Sequence, residues 1–205
     1  MTEQQIYGIF YVALGVLAVA RLALTLATAL PLRLRRSALD TVDNFLGALL
    51  VVMFIIRPFI VEAYSIPSGS MRPTLRERDR ILACKFIYRL RAPRRGEVVV
   101  FRAPPQARSP GRNLIKRVIG LPGEVVEVRD GKVYINGKPL EEPYILEPPY
   151  YEFGPYRVPE GCVFVMGDNR NDSLDSHIWG PLPIRNILGK AMVIWWPPLR
   201  AGFIR

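Results

Sequence analysis

The chain has 205 residues, which leaves room for one modest domain and some additional segments, and half of its residues are hydrophobic. Its 19 prolines argue against a helical bundle, because proline interrupts helix interiors. The net charge of +10 would suit nucleic acid. However, the arginines are scattered and no nucleic-acid motif is present, so we expect no nucleic acid partner. A protein beside anionic lipid has its own reason to be basic.

The first apolar segment covers residues 6–32 and is interrupted only by Arg21. A membrane span needs about 20 apolar residues, so this segment is long enough to cross a bilayer with some tilt. A charge at mid-membrane is costly, so Arg21 should either face a second span or shift the register of the segment. A cleaved signal peptide is the competing interpretation, but the run is too long and no basic region precedes it.

A second apolar run begins at Phe45 and can cross if it continues through Arg57, whose side chain would extend back to the interface. The arginines between the two runs place their connection in the cytoplasm by the positive-inside rule. The chain is predicted to begin with a short extracytoplasmic N-terminus (1–5), a first span (6–32) and a cytoplasmic basic loop (33–44). A second span (45–61) and an extracytoplasmic domain (62–205) follow.

Beyond residue 62, short β-type runs alternate with turn signals. The pairs Asp130-Gly131 and Asn136-Gly137 predict tight turns within a meander of short strands. The sequence therefore predicts a mainly β fold, a small domain of coiled antiparallel sheets behind two N-terminal transmembrane helices. Strands are expected at 80–88, 96–102, 114–120, 123–140, 162–168 and 189–196, with loops at 103–113 and 141–156.

The cysteines and a tryptophan pair leave alternatives open. Cys84 and Cys162 lack metal-ligand spacing, and they are either buried free thiols or a disulfide. Trp195 and Trp196 belong either to the membrane interface, which favours aromatic rings, or to the core.

The stretch "IPSGSMRPTL", residues 66–75, places Ser70 in a setting typical of a nucleophile, which needs a base. His177 is the single histidine, and a triad with Asp175 would require it to reach Ser70. Lys116, within "NLIKRVIGLPG", is the other candidate, because apolar residues share its strand face and desolvation lowers a lysine pKa. Alternatively, its amine extends to solvent and keeps its charge.

Three motifs occur in order along the chain: "IPSGSMRPTL", "IKRVIGLPGE" and "MGDNRNDSLDSHIWG". With two apolar segments ahead of them, they make residues 45–196 resemble the bacterial type I signal peptidases. These are membrane-bound serine proteases with a Ser-Lys dyad, and their β fold is shared with self-cleaving repressors. The resemblance implies removal of N-terminal signal peptides from exported preproteins after small residues, of the Ala-X-Ala type, through an acyl-enzyme.

The resemblance also implies roles for individual residues. Ser70 matches the nucleophile and Lys116 the general base, while the Ser68 hydroxyl and the Ser70 backbone N–H match the oxyanion hole. Ser173 matches the hydroxyl that orients the lysine amine. Arg117 and Asp168 match a supporting ion pair. Asp175 matches a further structural acid.

Two shallow apolar pockets are implied for the small residues before the cut, since larger side chains cannot enter such pockets. The first consists of Ile66, Pro67, Met71, Leu75, Leu114 and Ile115. The second consists of Tyr64, Ile66 and Ile81. Plain core packing is the alternative role for these residues. The resemblance implies no metal and no cofactor.

Two positions depart from the family pattern. Asn171-Asp172 replaces a usual Asp-Asn, and His177 stands where arginine is common, so its pair with Asp175 should be weaker at neutral pH. The expected partners are signal peptides, the lipid bilayer and the secretion translocon, and the expected location is the bacterial cytoplasmic (inner) membrane. The alternatives are a processing peptidase with a narrow substrate set and an inactive membrane-tethered binding module.

Overall fold

The structure, a computed structural model, describes residues 3–54, 61–107 and 110–205. Contacts within the chain divide it into two units, Met1–Ile60 and Val61–Arg205. The described part of the first unit is helical, and the second unit consists mainly of β-strands.

Two helices make up the described part of the first unit. Helix α1 spans Glu3–Leu26, and helix α2 spans Leu32–Val51 with helical backbone continuing to Phe54. The segments Gly8–Leu26 and Leu32–Phe54 are long and apolar enough to cross a membrane, with mean hydropathies of 2.2 and 1.5. Both therefore fit the predicted pair of apolar membrane segments.

The prediction of a loop at 33–44 is wrong, because these residues belong to α2. Pro31 immediately precedes the helix, where its fixed φ is compatible with a helix start, and the leucines, arginines and alanine that follow are good helix formers. Helix α1 ends at Leu26 rather than at residue 32. Most of the end of the predicted second span, residues 55–60, lies outside the described residues.

Arg21 of α1 pairs with an acidic residue of α2. Its Nε lies 2.6 Å from Asp43 Oδ1, so the charge that would be costly in a bilayer faces an opposite charge on the second helix. Arg35 also donates to the carbonyl oxygens of Leu24 and Thr25. The last carbonyls of a helix lack partners within it, so Arg35 satisfies the end of α1.

The second unit contains two antiparallel sheets among the described residues. In the larger sheet the strand order is β1-β2-β11-β3-β4-β9-β10, with β12 paired to β11, and in the smaller it is β7-β6-β5-β8. The short helices α3 and α4 span Ile87–Leu90 and Ser176–Trp179. The strands β1 to β12 are, in chain order, Val61–Ser65, Arg80–Cys84, Val98–Arg102, Asn113–Gly120, Val125–Arg129, Lys132–Ile135, Lys138–Pro139, Phe153–Arg157, Cys162–Met166, Leu182–Pro183, Ile187–Trp196 and Gly202–Phe203.

The predicted fold class, antiparallel β-sheets behind two apolar N-terminal helices, is confirmed. The two tight turns are also present. Asp130, Gly131, Asn136 and Gly137 have φ angles of 48°, 70°, 51° and 77°, as type I′ turns require. These turns join β5 to β6 and β6 to β7.

Strand β3 shows how the larger sheet is covered on both faces. Val98 and Val100 pack into one apolar cluster, and Val99 and Phe101 pack into another, as the two-residue period of a strand requires. A third cluster joins side chains of the larger sheet to those of the smaller sheet. The central strands β3 and β4 are thus buried on both sides and give rigid support to the side chains they carry.

Some element boundaries differ from the predictions. Strand β8 occupies the end of the segment 141–156, which was predicted as a loop. The run 80–88 leaves the sheet after Cys84, where the chain turns into α3. Local β-type composition does not specify where a strand loses its neighbour, so these ends depend on tertiary pairing.

The open alternatives for cysteine and tryptophan are resolved in part. Cys84 and Cys162 are free thiols and only partly buried. Trp195 and Trp196 are 40% and 47% exposed, which excludes the core interpretation. Their location at a membrane interface stays a prediction.

Candidate active site

Ser70 is carried by a short 3-10 turn, Gly69–Met71, that follows β1. Met71 is fully buried and anchors the turn in the core. The carbonyl oxygen of Ser70 accepts a hydrogen bond of 3.1 Å from the backbone N–H of Asn169. These contacts fix the backbone beneath the Ser70 hydroxyl.

Lys116 approaches Ser70 from β4. Its strand face is shared with Leu114 and Val118, which pack in an apolar cluster, as the two-residue period predicts. Lys116 is 4% exposed, so the alternative in which its amine extends to solvent is wrong. Lys116 Nζ lies 2.5 Å from Ser70 Oγ.

Burial lowers the pKa of Lys116 to about 8, because desolvation disfavours the charged amine. The carboxylates of Asp175, Asp168 and Asp172 oppose this shift by attracting the positive charge. At mildly alkaline pH a large fraction of the amine is therefore neutral, and only a neutral amine can accept a proton. Both its position and its pKa suit a general base for Ser70.

Two hydrogen-bond donors can lie beside the nucleophile. Ser68 immediately precedes the 3-10 turn, and its Oγ lies 3.4 Å from Ser70 Oγ. The N–H groups at the start of a helical turn have no partner within that turn, which leaves the Ser70 N–H available. Such a pair can stabilise an oxyanion that forms next to Ser70 Oγ.

The loop after β9 packs directly against the turn that carries Ser70. Asn169 donates from its side chain to the carbonyl oxygen of Gly69 at 3.2 Å. Gly167 has no space for a side chain, because a Cβ there would overlap with the Ser173 hydroxyl and the Ser70 carbonyl oxygen. Glycine is therefore required where the loop passes between Ser70 and Ser173.

Ser173 forms its hydrogen bond with Asp175 and not with the lysine to which the resemblance assigned it. Its Oγ donates to Asp175 Oδ2 at 2.5 Å, and the same oxygen accepts from the Gly167 N–H at 2.8 Å. Asp175 is fully buried, and a buried carboxylate is a stronger acceptor than a neutral amine. Since the Ser173 oxygen keeps a free lone pair, its role in orienting Lys116 stays a prediction.

His177 is directed at Asp175 rather than at Ser70. Its Nδ1 lies 2.7 Å from Asp175 Oδ1, so the expected pair is present. Its ring stacks on Tyr151 with the ring centroids 4.3 Å apart. Two cavities reach Ser70, and within the described ranges His177 lines neither of them. This placement gives no support to a Ser-His-Asp triad.

Arg117, the residue after Lys116 on β4, forms a fully buried ion pair with Asp168. Its Nε and Nη2 lie 2.8 and 2.7 Å from the two carboxylate oxygens. Thr74 donates to the same carboxylate at 2.5 Å, and Arg117 Nη1 donates to the Gly96 carbonyl at 2.7 Å. The predicted pair is therefore present, and it joins β4 to the loop after β9.

The first cavity at Ser70 has a volume of about 110 Å³. It contains five of the predicted pocket residues in its lining: Tyr64, Ile66, Pro67, Leu114 and Ile115. The other three, Met71, Leu75 and Ile81, are fully buried in the core cluster that also contains Ile66 and Ile115. Core packing, the alternative role, fits these three.

The second cavity at Ser70 has a volume of about 220 Å³. It shares Ser68, Leu114 and Lys116 with the first cavity. The rest of its lining comes from other parts of the fold: Gly69, Ala107, Asp172, Leu174 and Trp179. The sequence motifs did not predict this cavity.

Three residues with contacts in the site had no role predicted from the sequence: Thr74, Gly167 and Asn169. Each lies inside a quoted motif, so the signal was present, but its function depends on a contact with a distant part of the chain. Thr74 and Asp168, for example, are 94 residues apart. Periodicity and local composition do not report such contacts.

The β domain holds a buried lysine against a serine, and two apolar helices precede this domain in the chain. These features are typical of a membrane-anchored serine protease. Comparison with known proteins agrees with this class. The family described as "Signal peptidase, peptidase S26" matches residues 39–196, so the chain belongs to that family.

Named relatives agree with the family assignment. A signal peptidase I of Leptolyngbya laminosa is 50% identical over 162 residues, which cover 77% of this chain and 79% of the relative. Probable signal peptidase I-2 of Synechocystis is 50% identical, covering 73% of this chain and 69% of the relative. Thylakoidal processing peptidase 1 of Arabidopsis thaliana is 46% identical, covering 74% of this chain and 46% of the relative.

The activity follows from this membership. The chain is a serine endopeptidase with signal peptidase I activity, and it removes signal peptides from exported proteins. Its N-terminal apolar helices anchor it in a membrane.

Proposed function

We propose that Ser70 is the nucleophile of this signal peptidase and that Lys116 is its general base. The observation that carries the proposal is the distance of 2.5 Å between Lys116 Nζ and Ser70 Oγ, at a lysine that is 4% exposed. A pKa of about 8 makes the amine available as a base near neutral pH.

In the first half of the reaction, neutral Lys116 takes the proton of the Ser70 hydroxyl as Ser70 Oγ bonds to the scissile carbonyl carbon. The carbonyl oxygen becomes an oxyanion and accepts hydrogen bonds from the Ser68 hydroxyl and the Ser70 N–H. When the carbon–nitrogen bond breaks, Lys116 gives its proton to the leaving amine. The mature protein departs, and the signal peptide remains as an ester on Ser70.

In the second half, Lys116 takes a proton from water, and the water oxygen bonds to the ester carbon. The tetrahedral intermediate is held by the same two donors. Its collapse breaks the bond to Ser70 Oγ, which recovers a proton from Lys116. The signal peptide then leaves with a free carboxylate.

The surrounding polar residues support this chemistry by fixing its geometry. The Arg117–Asp168 pair holds β4, and therefore Lys116, against the loop after β9. Asp175 positions Ser173, whose oxygen can accept a hydrogen bond from the lysine amine. Because both carboxylates also raise the pKa of Lys116, they limit how far burial lowers it.

The first cavity supports cleavage after small residues. Its volume of about 110 Å³ and its lining by Ile66, Leu114 and Ile115 suit the alanine-sized side chains of an Ala-X-Ala sequence. Within the described sheet, β1 is an edge strand that pairs with β2 alone. An extended signal peptide can therefore add to its other edge through main-chain hydrogen bonds.

We also propose an orientation and a location. The arginines near the connection of the two helices support a cytoplasmic connection, which puts the β domain on the extracytoplasmic side. The location we favour is the bacterial cytoplasmic membrane, beside the secretion translocon that delivers preproteins. Since two relatives are named thylakoidal processing peptidases, the thylakoid membrane is the second candidate, and membrane fractionation distinguishes the two.

A cleavage assay tests the dyad. We expect the full chain in detergent to cut a preprotein with Ala-X-Ala before the cut, and Ser70→Ala to reduce the rate to background because the attacking oxygen is lost. His177→Ala should keep measurable cleavage, since His177 contacts Asp175 and not Ser70. Full activity in Ser70→Ala, or complete loss in a folded His177→Ala, would remove the support for this mechanism.

A further inference from the structure

Ser70 lies where two cavities meet, and the proposed function uses only one of them. Both cavities include Ser68, Ser70, Leu114 and Lys116 in their lining, so they adjoin each other at the dyad. The first continues along β1. The second continues toward Leu174 and helix α4. A peptide that crosses the nucleophile can therefore occupy one cavity on each side of Ser70.

We propose that the second cavity binds the side chains that follow the scissile bond, at the start of the mature protein, and that Leu174 and Asp172 set the preference there. This rests on the proposed function, because the first cavity is assigned to the residues before the cut. With the residues before the cut along β1, the second cavity is the other space in contact with Ser70 among the described residues, and it can take the residues after the cut. Its volume of about 220 Å³ is twice that of the first, so larger side chains fit.

The second cavity adjoins a groove of about 400 Å³. Asp172 and Leu174 line both spaces, so the groove begins beside the cavity that contains Ser70. Along it, Leu174 is 46%, Tyr150 77% and Ile178 59% exposed. An exposed apolar strip that begins at a nucleophile suits a polypeptide chain that leaves the site.

The lining predicts which residues this path prefers. Leu174, Ala107 and Trp179 give the cavity apolar walls, which favour an apolar side chain directly after the cut. Asp172 is exposed and is the carboxylate shared by the cavity and the groove. It should attract a basic residue at the next position and disfavour an acidic one.

The first test narrows the cavity with Leu174→Trp. The substrates are preproteins that are identical up to the cut, with alanine, leucine or phenylalanine directly after it. We expect kcat/KM to fall by at least about tenfold for leucine and phenylalanine but by less than about twofold for alanine. Leu90→Trp, a substitution at an exposed leucine of α3 outside both cavities, should leave the ratios between substrates unchanged.

The second test compares lysine with glutamate two residues after the cut. We expect the wild type to prefer lysine by about threefold, and Asp172→Asn to abolish the preference. An effect of Asp172 on the pKa of Lys116 changes both rates equally, so the ratio reports only the subsite.

The outcomes separate this inference from the proposed function. Cleavage by the wild type and its loss in Ser70→Ala test the dyad, whatever the ratios of kcat/KM between the substrates are. An equal effect of Leu174→Trp on all three substrates would overturn the subsite. In a further substrate series that varies only the residue before the cut, a Leu174→Trp effect on kcat/KM that follows that residue would overturn the subsite as well.

Discussion

Replacing Lys116 with methionine is expected to abolish cleavage and at the same time to stabilise the fold. Methionine has a similar length but no amine, so Ser70 loses its base, and kcat/KM should fall by at least about 10³-fold. The stabilisation follows from the pKa of about 8 at a lysine whose ordinary value is 10.5. At pH 7 the amine is charged in both the folded and the unfolded state. Its burial therefore costs about 3 kcal/mol of unfolding free energy, at about 1.4 kcal/mol per pKa unit.

The effect of pH on stability has a definite sign. The folded pKa of Lys116 lies below the unfolded one, so the unfolded state binds more protons between pH 8 and 10.5. The free energy of unfolding of the wild type should rise relative to Lys116→Met across that window. Below pH 8 the cost is complete and constant, so the variant should be more stable there.

Thermal unfolding in detergent at several pH values, alongside the preprotein cleavage assay, measures both effects. Lys132→Met replaces an exposed lysine of β6 and is the matched control, which should change neither activity nor stability. A Lys116→Met variant that still cuts would contradict the dyad. A Lys116→Met variant that unfolds at a lower temperature than the wild type at pH 7 would contradict the predicted cost of burying the charged amine.

Removing the negative charge of Asp168 should destabilise the β domain by about 3–5 kcal/mol. The Asp168→Asn change leaves the Arg117 guanidinium charged in a place where both partners are at most 1% exposed. An asparagine amide has only one acceptor oxygen, so one of the two short hydrogen bonds from Arg117 is weakened and the other is lost. Because this pair fixes the strand that carries Lys116, cleavage should fall as well. Chemical denaturation measures the loss of stability.

A matched control uses a partly exposed ion pair of the same domain. Lys85 and Glu62 lie 3.1 Å apart with side chains 31% and 33% exposed, so Glu62→Gln should cost less than about 1 kcal/mol. Equal losses of unfolding free energy in Asp168→Asn and Glu62→Gln would mean that burial of the Arg117–Asp168 pair has no effect on stability. Replacing both Arg117 and Asp168 with apolar residues should be less harmful than the single change, since no charge is left buried alone.

The strand face of Lys116 could be predicted because it depends on a local rule. In "LIKRVIG" the two-residue period puts the lysine on the face of Leu114 and Val118, whereas the pattern left open whether its amine is buried or extends to solvent. The burial of Arg117 on the opposite face could not be read from the same pattern. It depends on Asp168, which is 51 residues further along the chain and supplies the compensating charge.

The same distinction explains the other differences. The turn at Asp130-Gly131 was predictable because two adjacent residues determine it. The partner of Ser173 was not, because a hydroxyl between an amine and a carboxylate donates to whichever acceptor the tertiary structure places closest. The early start of α2 was missed because charged residues were interpreted as a loop, although arginine is a good helix former.

The pH dependence of kcat/KM for preprotein cleavage tests the lysine base most directly. If neutral Lys116 activates Ser70, kcat/KM should rise about tenfold per pH unit below the pKa of the base and level off above a pH of about 8. The curve should keep its shape in His177→Ala. A curve that is flat from pH 5 to 9 would contradict a lysine base. So would a curve that levels off near the ordinary histidine pKa of about 6.5 and loses that step in His177→Ala.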